Sequence, residues 1–86
     1  MRFRTAVLSA TATDLQTLLG LSDSRARVIM IQAPAANAAD AYLGEASQQP
    51  YEFPATGGDL RLDATVNLST LYAKGGVGDK LTVIFE

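Results

Sequence analysis

The 86 residues predict an all-β fold: a small antiparallel β-sandwich or jelly-roll-like barrel with one short helical insert. Three observations lead there. Short runs rich in β-branched and aromatic residues recur along the chain, several with apolar and polar residues in strict alternation. Gly, Pro, Asn and Asp cluster between these runs at the spacing of strand-connecting turns, which separates roughly six to eight strands. Only Thr13–Gly20 carries a helical period. No repeat, low-complexity tract or linker interrupts the pattern, so residues 1–86 read as one domain.

Each element has its own warrant. In Arg2–Ser9, Phe3, Thr5 and Val7 alternate with Arg2, Arg4 and Ala6, as a first strand requires. Thr13 can cap a helix with Gln16 three residues on, Leu15, Leu18 and Leu19 form its apolar stripe, and Gly20 ends it. That stripe is expected to plug one end of a sheet. Arg27–Gln32 is the most apolar run and reads as a central strand buried on both faces. Pro34 stops it, and Ala33–Asp40 forms a loop or wide turn. Ala41–Gly44 is a short strand, and Pro50 and Pro54 confine Tyr51–Phe53 to an edge or a surface loop. Asp59–Asp63 alternates, with Leu60 and Leu62 inward and the charges outward. Asn67–Lys74 leads into another strand, and Lys80–Phe85 is the last.

Composition narrows the function classes. A domain of this size buries only about 60% of the surface its unfolded chain exposes, so its core needs support. With no Cys and no His, disulfides and thiolate or imidazole metal ligation are excluded, as are the usual nucleophile–base pairs. No metal ion or cofactor is expected. A net charge of −2, with both signs mixed along the chain, argues against nucleic acid. Arg2/Arg4 and Arg25/Arg27 are each spaced to share one strand face, as solvated edges do. No apolar run approaches the length that spans a bilayer, and the N-terminal residues alternate instead of forming a signal-peptide core. Paired-carboxylate chemistry would need Asp59, Asp63, Glu45 and Glu52 to converge. Solvated carboxylates are the expectation, and the chain is read as not an enzyme.

Lys74-Gly75-Gly76-Val77-Gly78 resembles the opening of a phosphate-binding loop of the ParA/MinD-type ATPases. The chemistry does not follow it. Asp79 puts a carboxylate where phosphate charge belongs, Lys80 and Thr82 are displaced, and strand formers follow in place of a helix. The expectation is a β-hairpin joining Leu71–Lys74 to Lys80–Phe85, with its glycines at positive φ and Asp79 and Lys80 leaving the turn towards solvent.

What remains is surface. Apolar outer strands at Arg2–Ser9 and Leu81–Phe85 are open to pairing with a neighbour. Tyr51 and Phe53 are candidate contact aromatics, or else a loop folded back over the sandwich end. Arg2, Phe3 and Arg4 are candidates for a contacting arm.

Several segments together resemble a pattern found in small phage virion structural proteins of the capsid decoration and head-fibre-base type. They are Arg27-Val28-Ile29-Met30-Ile31-Gln32, Tyr42-Leu43-Gly44, Phe53-Pro54-Ala55, Gly58-Asp59-Leu60, Leu71-Tyr72-Ala73 and Leu81-Thr82-Val83-Ile84. The likeness spans nearly the whole chain and departs at the Ala-rich Ala33–Ala39 loop, where the pattern has a tighter turn. It implies a β-sandwich that decorates or cements a capsid or forms the base of a fibre. The resulting expectation is a capsid decoration protein bound to the outer surface of the major capsid protein's shell, a homo-oligomer with a trimer favoured. It would reside on the virion after assembly in the host cytoplasm, with no nucleic acid or membrane partner. The alternatives are a carbohydrate- or protein-binding fibre module and a minor connector subunit.

Overall fold

The computed structural model describes all residues from Met1 to Glu86 and bears out the sandwich. Eight strands, β1 (Arg2–Val7), β2 (Thr13–Asp14), β3 (Arg25–Ala33), β4 (Ala41–Gly44), β5 (Tyr51–Phe53), β6 (Gly58–Asn67), β7 (Tyr72–Lys74) and β8 (Lys80–Phe85), accompany one helix, α1 (Leu15–Leu19). They form two four-stranded antiparallel sheets, ordered β1-β8-β3-β6 and β2-β7-β4-β5. Every connection except β4–β5 crosses from one sheet to the other, which is the jelly-roll way of winding a sandwich.

The alternation read from the sequence builds the core. Leu81, Val83 and Phe85 of β8 are all buried, opposite Leu43, Phe53 and Ala73 of the second sheet. Each large apolar side chain so enclosed contributes about 1.5–3 kcal/mol. β3 is interior to its sheet, yet it is not buried on both faces as expected: Val28 and Ile31 are fully buried, while Ile29 and Met30 are half-exposed. No layer covers that outer face. The register of β3 shifts between Val28 and Met30 against both neighbours, and Asp63 of β6 takes φ 48° there. Asp tolerates this left-handed conformation better than most residues.

α1 plugs one end of the sandwich with Leu15 and Leu19, as its stripe predicts. Its cap is Asp14, not Thr13: the Thr17 amide donates to Asp14 Oδ2 at 3.0 Å. Thr13 pairs instead with Ala73 in the two-residue β2. Gln16 turns away from the cap and donates to Leu21 O and Ser22 O. The longer oxygen-bearing side chain next to the first turn outcompetes the Thr, which the sheet claims.

The Gly75–Asp79 segment is not a hairpin. β7 pairs with β2 and β4, β8 pairs with β1 and β3, and the segment is a crossover between the sheets. Only Gly78 has positive φ, at 86°. Gly75 and Gly76 are needed for close approach, since a Cβ there would lie 2.8 Å from Leu8 Cδ1 and 2.5 Å from Asp79 Oδ2.

Nor does Asp79 leave the turn for solvent; it is 8% exposed. Its carboxylate accepts from the Ala38 and Ala39 amides at 2.9 and 3.0 Å, and its carbonyl accepts from the Leu8 amide at 2.7 Å. Beside it, the Asn37 side chain pairs with both backbone groups of Lys80, each at 2.9 Å. Three crossovers, β1–β2, β3–β4 and β7–β8, are thereby tied together at one end. Asp79→Ala is expected to cost about 2 kcal/mol in urea unfolding, because two partly buried amides lose a charged acceptor. Lys80→Ala, at an exposed neighbour, should change stability by less than about 0.5 kcal/mol.

Candidate functional site

β1 is an edge strand held in place along its length. Arg2 lies with its guanidinium 4.8 Å over the Phe85 ring, and Arg4 Nη1 donates to Leu19 O at 3.1 Å, below the helix C-terminus. Both arginines are thus engaged within the chain, and the segment is a strand and not a free arm. The alternation sends Phe3, Thr5 and Val7 to the outer face, with Phe3 65% and Val7 55% exposed. The apolar row of this strand is therefore its solvent face, because the inner row at this edge is Arg2, Arg4 and the buried Ala6. Phe3 stands across from Ile84, which in turn stands across from Met30, so an apolar row crosses the outer face of this sheet.

The two contact aromatics separate. Phe53 is 1% exposed, paired with Ala41, and belongs to the core. The prolines bound a three-residue edge strand, not a loop, and the strand turns Phe53 inward. Tyr51, opposite Leu43, keeps 41% of its surface and meets Phe53 edge-to-face at 5.1 Å.

Asp59, Asp63, Glu45 and Glu52 are not gathered into one cluster. Asp63 pairs with Arg61 at 2.6 Å and with Arg27 at 3.9 Å, and Asp59 stays in solvent on the outer face of β6. Glu52 meets Asp40 instead. On the outer face of the second sheet Lys74, Tyr42 and Glu52 are cross-strand neighbours, with the Lys74 ammonium 5.7 Å over the Tyr42 ring. The Tyr42 hydroxyl donates to Glu52 at 3.4 Å, and the Ala55 amide donates to Asp40 at 2.8 Å. A hydrogen bond with Glu52, helped by the Ala55 amide, lowers the pKa of Asp40; the same hydrogen bond and the Asp40 charge raise that of Glu52. The negative charge of Glu52 raises the Tyr42 phenol.

A broad concavity lies along one side, between the edges of β6 and β5. About 790 Å³ opens there between the sheets, within the size range of ligand clefts. Leu60, Leu62 and Val66 line it from β6, Leu43 and Tyr51 from the other sheet, and Tyr72 stands on its rim. Its chemistry is apolar burial with a polar margin that includes Glu45 and Asn67. The sequence carried half of this signal, the inward Leu60 and Leu62. Nothing in a linear pattern reveals that the opposite edge ends after three residues and leaves them uncovered. Comparison with protein families, curated proteins and solved structures finds no match to the chain.

Two outcomes are expected. Phe53→Ala should cost about 3–5 kcal/mol in chemical denaturation, and Tyr51→Ala under about 1.5 kcal/mol. In carboxyl-carbon NMR, Glu52 should titrate above the ordinary glutamate range, and Glu52→Gln should return Asp40 upward towards its ordinary value. A raised folded pKa stabilises fully below the unfolded value, so the Glu52 contribution fades as pH rises through its folded pKa. The Asp40 contribution runs oppositely, fading as pH falls through its lowered one.

Proposed function

We propose that this chain is a non-enzymatic structural protein of a phage particle. In this reading it is a capsid decoration protein that binds the outer surface of the shell formed by the major capsid protein and stabilises it. The observation that carries the reading is the apolar outer row reaching the free edge at Phe3, presented on a frame whose ends are tied down. A surface of that kind binds by burial: about 25 cal/mol is gained per Å² of apolar area removed from water, and unpaired strand-edge groups find partners. A standard interface takes about 800 Å² from each partner, roughly a sixth of the 4599 Å² this chain exposes, so one face suffices. Support also comes from the resemblance to virion proteins and from the jelly-roll winding, a fold shared by many functions.

The cleft favours a second reading, a binding module of a head or tail fibre, because Tyr51 and Tyr72 border an apolar recess. Mass spectrometry of purified virions together with binding to emptied capsid shells separates the two. Decoration requires the protein on the particle in numbers that follow the capsid lattice, and shell binding by the isolated chain. A fibre module requires glycan or fibre binding and no affinity for the shell. Phe3→Asp is expected to weaken shell binding by tenfold or more while leaving the melting temperature almost unchanged, since an exposed aromatic anchors contacts without supporting the core.

A further inference from the structure

We infer that the cleft is closed by a second copy of this chain, through two-fold antiparallel pairing of β6 with its counterpart. Three observations converge. β6 is the longest strand, ten residues, and only β3 pairs with it, so one full row of its backbone groups has no strand partner. Its inward Leu60 and Leu62 are half-exposed in the apolar cleft. Its outward residues alternate in charge as Asp59, Arg61 and Asp63, which makes the edge self-complementary in a specific register.

That register is centred on Leu60. It sets Asp59 of each copy opposite Arg61 of the other, and the two Leu60 side chains together over the cleft mouth. Directly opposed unlike charges and apolar pairs are the stabilising pairs of a sheet. Centring on Arg61 would oppose Arg61 to itself and Asp59 to Asp63, a like-charge arrangement. Centring on Leu62 would run the ladder through Asp63, whose φ of 48° breaks it. The same irregularity ends the pairing after Leu62, so the ladder spans Gly58–Leu62. In the pair each copy's first sheet continues into the other's, and Leu60 and Leu62 of one copy cover the cleft of its partner beside Tyr51. A two-fold contact is closed at two chains, so this edge builds a dimer and not the trimer that the sequence favours. The inference stands independently of the capsid reading.

Sedimentation velocity of the whole chain from roughly 1 µM to 1 mM tests it, with each variant's fold checked by circular dichroism. The wild type is expected to dimerise within that range. Asp59→Lys, at a residue with no ion-pair partner in the chain, makes the edge uniformly positive at its two paired positions; Arg61→Asp makes it uniformly negative. Each alone should weaken self-association by roughly tenfold or more, because both cross-strand pairs become like-charged. An equimolar mixture of the two should form a heterodimer with wild-type affinity, since unlike charges are again opposed. A wild type that stays monomeric at the highest concentration overturns the inference. So does self-association untouched by either variant, or a mixture that remains as weak as its components.

Discussion

The carboxylate of Asp79 holds the position on which the rest of the winding depends. In a sandwich whose connections nearly all cross between sheets, few turns are local, and the two layers must be pinned where the chain changes layer. Asp79 does this with three hydrogen bonds reaching residues far apart in the chain: Leu8, Ala38 and Ala39. Asn37 partners the first residue of β8 with a side chain that imitates a strand backbone, bonding both backbone groups of Lys80. The neighbouring glycines follow from this arrangement, because Gly76 leaves room for the Asp79 carboxylate and Gly75 for Leu8. A buried carboxylate is costly unless its oxygens are satisfied, and here backbone amides satisfy them. The Ala-rich loop that departs from the virion pattern is the segment that supplies those amides.

The opposite end is closed by other means. Leu15 and Leu19 of α1, with Leu68, form an apolar plug; Arg4 bonds the Leu19 carbonyl, and Arg2 lies over the Phe85 ring. With both ends secured, incompleteness is concentrated along the sides. β5 has three residues against ten in β6, and that mismatch leaves the inner face of β6 without an opposing strand. A small domain without cysteines to cross-link it has little margin for uncovered apolar surface.

Much of the site was legible residue by residue, and what failed was its grouping. Leu60 and Leu62 were correctly turned inward by alternation, and Tyr51 was correctly kept at an edge. For Phe53 the flanking prolines leave a contact aromatic and a loop folded over the sandwich end both open, yet two residues after Tyr51 it shares the inner face of a strand paired with β4. In β1 the apolar row Phe3, Thr5 and Val7 faces solvent, because Arg2 finds Phe85 and Arg4 finds a helix carbonyl on the inner side. The Glu52 partner is Asp40, brought close by the β4–β5 hairpin and unrelated to the acidic residues of β6.

By itself the sequence determined the local states. The period of two dictated strands, the Leu15/Leu18/Leu19 stripe and Gly20 marked one short helix, Pro34 ended β3, and the absence of Cys and His removed whole classes of chemistry. Tertiary structure decided which strands became neighbours. Lys74 to Lys80 has the glycine content of a hairpin, and no local property distinguishes a turn within a sheet from a crossover between sheets. That choice is made by long-range pairing of β8 with β1 and β3, and by a buried Asp79 whose acceptors are filled from forty residues away. Hydrophobic periodicity reports which side of a strand is apolar. Only the completed packing determines which side meets water.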